Sequence, residues 1–242
     1  MSDSCGGRLG NQIFRNLAVS LIAEKNDLYV DYSYYEVIKQ LGIDLFIGKN
    51  KFNSKKDLTD DNYSIFYNNL SLTTNLNMTG DYSYFQSKYI SNLIYHYLHS
   101  DKIKENIIKK NQFEERYNNN NDLFIHIRLG DIERFNPGIT YYMKAISCSS
   151  FDNIYVSSDS IDHVIIKQIV EKYPNTIIID YDEIKTFQFA STCKNIILSH
   201  GSFSAIIGYL SFFSNIYYPK YEDNKMWYGD MFSIDGWNKI EF

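Results

Sequence analysis

The sequence predicts an α/β protein whose second half is a doubly wound parallel sheet, and three observations carry that expectation. From residue 123 onward, short apolar runs alternate with helix-length amphipathic stretches, the rhythm of repeated β-α units. Four consecutive asparagines, from Asn118 to Asn121, interrupt the chain ahead of that rhythm. Such a run adds nothing to a core and tolerates turn geometry. Glycine-rich turns stand directly before apolar helical stretches, at Gly6–Gly10 and at Gly201. The expected division is therefore 1–118 and 119–242, with the parallel sheet in the second part.

Composition narrows the classes. The 242 residues suffice for one large core or two small ones, and 44% hydrophobic with 22% charged residues describes a folded domain. The abundance of Tyr, Phe, Asn, Ile and Lys points to an AT-rich genome, microbial or viral. A net charge of −5 supplies no basic field for nucleic acid. Cys5, Cys148 and Cys193 are odd in number and far apart, which suggests neither a disulfide framework nor a zinc site. No apolar run reaches the ~18 residues that span a bilayer, and the polar Met1–Cys5 lacks the pattern of a secretory leader. The expectation is a cytoplasmic protein.

In the first part, Ile13, Phe14, Leu17, Ala18, Leu21 and Ile22 share one helical face directly after the Gly6–Gln12 turn. Backbone N–H groups at such a turn favour an anion, although a tight turn with no ligand explains the glycines equally well. A strand is expected over 28–32, then a short helix over 34–41 capped by Ser33 and stopped by Gly42. The polar stretch 48–69 reads as surface loop, and 70–78 as a strand. Ser87 caps a helix with a buried face of Ile90, Leu93, Ile94, Tyr97 and Leu98. His96 and His99 on that helix have no third ligand nearby and read as solvated. A further helix carries Ile103, Ile107 and Ile108 toward Tyr117.

The second part gives strands over 123–128, 154–157, 176–180, 195–199 and 215–218. Helices are expected over 141–146, 161–173, 184–193 and 202–213, and the tail from Trp227 wraps back. In a parallel sheet all carboxyl ends share one edge, where open α/β folds bind ligands. Three segments meet there: His126-Ile127-Arg128, Ser157-Ser158-Asp159 and Ser199-His200-Gly201-Ser202-Phe203-Ser204. Arg128 offers a planar fork of donors suited to phosphate, and Ser202 and Ser204 offer hydroxyls beside a helix start. Asp159 can accept from a guanine edge. Each has a plainer explanation: Arg128 paired with Asp131, Ser202 and Asp159 as helix caps. Their convergence on one edge favours a nucleotide diphosphate site.

Six segments, in order along nearly the whole chain, resemble glycosyltransferase family 11, the α-1,2-fucosyltransferases, within the wider GDP-fucose-dependent group. They are Gly7-Arg-Leu-Gly-Asn-Gln12, Gly80 to Tyr89, His126-Ile-Arg-Leu-Gly-Asp131, Ser158-Asp159, Ser199 to Ser204, and the tail from Trp227 to Trp237. The resemblance implies a GT-B fold, two Rossmann-like halves with a cleft between them. The second half would hold the GDP-sugar and the first would meet the acceptor. It implies an inverting, metal-independent transfer of L-fucose from GDP-β-L-fucose, a co-substrate, to a sugar hydroxyl of a glycan, with no cofactor. Arg128 would stabilise the departing diphosphate, His126 and Asp159 would contact the guanosine, Ser202, Phe203 and Ser204 would hold the phosphates, and Ser158 and Gly10 would also bind the donor. Asn11 would lie on the loop reaching across, and Asp131 and Asp81 are the candidate bases.

Three departures stand out. Leu129 replaces the family's second arginine, which puts donor identity in question. Ala205-Ile206 replace its tryptophans. The chain before Gly6 is too short for a normal first strand, so the first sheet should be shortened. Two other readings remain: a protein O-fucosyltransferase, or a GDP-sugar-binding, degenerate member.

Overall fold

The computed structural model of the chain describes residues 7–78, 83–221 and 230–242. Met1–Cys5, Gly80, Asp81 and Trp227, all named above, lie outside the described residues. By internal contacts the chain forms two compact units. The first runs to Asn106 and includes Met231; the second continues from Ile107 and includes Phe232–Phe242. The asparagine run lies in the second unit, where Asn120 donates to the carbonyls of Arg116 and Thr192 at 2.6 and 2.9 Å.

The first unit is organised on α1, Leu9–Asn26, which is buried on nearly every side as far as Ala23. The helix begins earlier than its apolar face suggests, so Gly10 and Asn11 are helical and not part of a loop. Of the described glycines in that stretch only Gly10 lies in the helix; Gly7, at φ 92°, stands before it. The strand expected over 28–32 reduces to a single bridge, Leu28 to Asn50. α2 is Tyr35–Lys39, preceded by Tyr34 at φ 59°. Ser33 does not cap it; its hydroxyl donates to Gln12 Oε1 at 3.4 Å.

The polar stretch 48–69 is not all loop: it holds β1, Lys55–Asp57, and α3, Tyr63–Asn68. β1 shows three exposed side chains, so no alternation marks it. α3 is anchored by one aromatic, Tyr63, fully buried, whose hydroxyl donates to the Ala18 carbonyl at 2.9 Å. β2, Asn75–Asn77, pairs in parallel with β1 and is much shorter than the expected strand. α4, Lys88–Leu98, starts where predicted, with Ser87 Oγ accepting the Ile90 N–H at 3.4 Å. His96 is exposed, and His99 stacks on Tyr95 at 3.9 Å. α5 covers Asp101–Lys110.

The second unit follows the expected alternation closely. β3 is Leu123–Ile127, and a 3-10 turn over Gly130–Phe135 leads to α6, Gly138–Ser147. Then come β4, Ile154–Ser158; α7, Val164–Lys172; β5, Ile177–Ile178; and α8, Glu183–Ala190. β6, Asn195–Ile197, α9, Ser202–Leu210, β7, Asn215–Pro219, and β8, Asn238–Ile240, complete it. All six strands are parallel, in the order β5-β4-β3-β6-β7-β8. That is the 3-2-1-4-5-6 order of dinucleotide-binding sheets, and it reverses between β3 and β6. The tail does wrap back: β8 adds to β7, and the Trp237 ring covers Gly208 of α9 and lies against Tyr209 and Tyr218.

One face of the sheet is filled by Leu123, Ile125, Ile127, Tyr141, Val156 and Ile197 with their helical neighbours. Ala205 and Ile206 are fully buried in α9 and belong to the core. Among the described residues no helix is long and apolar enough to cross a membrane, and no three His, Cys, Asp or Glu side chains gather as a metal site.

Candidate active site

The reversal between β3 and β6 brings the carboxyl ends of those strands side by side, and there the sequence places its densest polar groups. The Arg128 N–H donates to Ser199 Oγ at 3.1 Å, tying the strand ends together. Arg128 itself is mostly buried, and its guanidinium is ion-paired with both Asp131 and Asp159. The two carboxylates are held unequally. Asp159 is anchored a second time, its Oδ1 accepting the Leu129 N–H at 2.8 Å. Asp131 sits on the 3-10 turn with 62% of its side chain exposed. Both the plain ion pair and the placement at the ligand edge are therefore present together.

Gly130 makes this arrangement possible. Its φ is +44°, and a Cβ there would lie 2.6 Å from Asp159 Oδ2. Only a residue without a side chain lets that carboxylate close over the turn onto Arg128. Leu129 faces elsewhere: it is 1% exposed and belongs to the hydrophobic core under the sheet. The side chain at this position therefore does not compete for the polar edge at all.

Behind Arg128 lies a buried hydrogen-bond network. Asn136 Nδ2 donates to the Arg128 carbonyl at 2.7 Å and to Tyr142 Oη at 3.0 Å. Tyr142 Oη and Ser199 Oγ are 2.9 Å apart. The Ser199 N–H donates to Ser204 Oγ at 3.0 Å, and Ser204 Oγ lies 2.5 Å from His126 Nδ1. Ser204 thus serves as a strut between β6, α9 and β3. Burial, then the nearby Arg128 charge and His200, push the His126 pKa down to about 3. A neutral His126 keeps the site free of a second fixed cation.

The remaining predicted residues fall as follows. Ser202 opens α9 after Gly201 and is half-buried. Phe203 stacks on Phe187 at 4.1 Å and lies 5.1 Å from the His126 ring, forming an aromatic wall. Ser158, at the end of β4, accepts the Ser160 N–H at 3.1 Å. In the first unit, Gly10 is buried within α1, and Asn11 Oδ1 accepts from Gln86 Nε2 at 2.8 Å. The sequence pattern gives no role to Asn136 or Tyr142. Asn136-Pro137-Gly138 is a readable turn, but only the fold reveals that its amide reaches back to residue 128.

The strand order, with a polar edge at its reversal, defines a Rossmann-like α/β unit. No family model matches the sequence, and no curated protein matches it by sequence. Among solved structures, the chain is similar to NodZ, an alpha-1,6-fucosyltransferase soaked with GDP-fucose, with a TM-score of 0.51 and 12% identity over 85% of this chain and 89% of that one. At that identity the likeness speaks for the fold alone, which is α/β and GT-B-like.

Proposed function

We propose that the protein is a glycosyltransferase of the family 11 kind, moving L-fucose from GDP-β-L-fucose to a hydroxyl of a glycan acceptor with inversion and without a metal ion. The second unit would take the nucleotide sugar and the first the acceptor. The observation that supports this most is Arg128, set at the strand-order reversal beside the start of α9, in a fold shared with a protein soaked with GDP-fucose. In the reaction the acceptor oxygen bonds to C1 of fucose, the bond from C1 to the β-phosphate oxygen breaks, and GDP leaves. Negative charge grows on that oxygen, where a guanidinium and the N–H groups of a helix start are most useful.

The ion pairs of Arg128 fit this role. A diphosphate approaching Arg128 displaces the exposed Asp131 and leaves Asp159 in place, because Asp159 is also tied to the Leu129 amide. The released Asp131 is then a carboxylate able to accept the acceptor's proton. Leu129 offers no support for a degenerate protein, since its side chain is part of the core.

A nucleotide-release screen tests the proposal, using GDP-fucose, GDP-mannose and UDP-sugars with a panel of mono- and disaccharide acceptors, with and without EDTA. Release from GDP-fucose alone, undiminished by EDTA, is expected, with an α-linked product by NMR. The resemblance implies an α-1,2 product. Release only from another nucleotide sugar, or from none, would remove the assignment.

A further inference from the structure

The carboxyl edge of the sheet contains one buried polar group that the scheme above leaves unused. His200 is 3% exposed, and among the described residues of the second unit its Nε2 is the buried side-chain nitrogen or oxygen without a hydrogen-bond partner. The Ile132 backbone is near enough to raise its pKa but does not close a hydrogen bond with Nε2.

Hydrogen-bond bookkeeping around Ser199 fixes what Nε2 carries. Tyr142 Oη accepts from Asn136, so its one hydrogen must go to Ser199 Oγ, 2.9 Å away. Were it directed otherwise, a fully buried hydroxyl would lose its only acceptor. Ser199 Oγ also accepts the Arg128 N–H, which fills its acceptor capacity. Its own hydrogen then points to His200 Nδ1, at 3.3 Å. With Nδ1 accepting, a neutral His200 carries its hydrogen on Nε2. The chain Asn136, Tyr142, Ser199, His200 therefore ends in a buried N–H donor that closes no hydrogen bond, with the Ile132 backbone as its nearby acceptor.

We propose that His200 Nε2–H binds a phosphoryl oxygen of the donor's diphosphate, acting with Arg128 as the second phosphate contact. This rests on the nucleotide-sugar reading of the site. His200 directly precedes Gly201 and the first turn of α9, whose free N–H groups favour an anion. It is also close enough to Arg128 and Asp131 for both charges to act on it. Burial and the Arg128 charge hold its pKa down to about 4, so it donates as a neutral ring and does not repel the guanidinium. The 3-10 turn that covers it, with the Phe135 ring 6.3 Å away, departs from helical geometry at Ile132. A shift of that turn is what a ligand oxygen requires to reach Nε2.

Calorimetry with inorganic pyrophosphate and with GDP tests this on the unaltered protein, His200→Asn and His200→Gln. Asn keeps an acceptor for the Ser199 hydroxyl and loses the far donor, whereas Gln reaches about as far as Nε2. Both ligands should weaken about ten- to a hundredfold in His200→Asn, the worth of one hydrogen bond to a charged group, and recover largely in His200→Gln. Unchanged affinity in His200→Asn would overturn the proposal. Pyrophosphate binding that depends on His200, without GDP binding, would retain the anion contact and remove the guanine nucleotide. No binding of either by the unaltered protein would remove both. Should His200→Asn fail to fold, the histidine Nε2–H resonance of the unaltered protein serves instead: movement on adding pyrophosphate supports the contact, and a fixed resonance refutes it.

Discussion

Each edge of the second unit's sheet holds an arginine near an aspartate, and the two are finished differently. At the amino edge, Arg116 pairs with Asp122 at 2.7 Å, donates to Thr192 Oγ1 at 3.1 Å and lies over the Phe189 ring at 4.4 Å. Asp122 uses its other oxygen to accept from Asn153 at 2.8 Å. No described side-chain atom buried there lacks a partner. At the carboxyl edge, Arg128 has one anchored carboxylate and one exposed one, and His200 beside it is left open. An arginine and an aspartate in contact thus carry little functional information by themselves. What separates a strut from a binding group is whether the surrounding hydrogen bonds close.

The strongest challenge to that contrast is to add a second cation to the carboxyl edge. Leu129→Arg sets a second arginine beside Arg128 in sequence, yet the position is core. A cation placed there is desolvated without a partner, and a loss of ~3–5 kcal/mol of stability is expected. Chemical denaturation measures it. A variant as stable as the parent, with tighter GDP binding, would show that position 129 can turn to the ligand edge.

Exchanging the two arginines for alanine separates the edges next. Arg128→Ala should lower kcat by ~10²–10³, as for loss of a donor to a developing oxyanion, with a smaller fall in thermal midpoint than Arg116→Ala because its carboxylate partners are the more exposed. Arg116→Ala should leave kcat unchanged and cost ~1–3 kcal/mol, since Asp122 loses a buried charge partner. Equal kinetic losses in the two variants would mean that the amino edge also takes part in the chemistry, or that both act through folding.

The carboxyl edge could be read in the sequence, and the closed amino edge could not, for physical reasons. Apolar strands such as 123–127 and 195–197 are buried on both faces, so they appear as plain hydrophobic runs. That they run parallel follows from alternating with helices, and the shared carboxyl edge holding His126, Arg128, Asp159 and Ser204 follows from that; the order of the strands does not. What stayed hidden was set by single residues or by partners distant in sequence. α3 depends on Tyr63 alone within a polar stretch, and β1 exposes all its side chains. The inward turn of Leu129 and the open nitrogen of His200 depend on which neighbours the fold assembles, and no local spacing encodes them.

The smallest expected effect tests how Arg128 is aimed. Gly130 and Gly138 both have positive φ, +44° and +80°, but only Gly130 has a neighbour in the way, Asp159 Oδ2 at 2.6 Å from a built Cβ. Alanine at either position pays ~1–2 kcal/mol for the left-handed backbone. At Gly138 that is the whole cost, because nothing lies within 4 Å. At Gly130 the methyl also pushes Asp159 off Arg128, so the guanidinium loses its anchored partner and is no longer held for the diphosphate. Gly130→Ala should therefore fall further in stability than Gly138→Ala, and it alone should lose kcat/KM, by about tenfold, the size of one charge-assisted hydrogen bond. If both kept the parent's kcat/KM, Asp159 would be ruled out as the group that aims Arg128, and the exposed Asp131 would become the relevant partner.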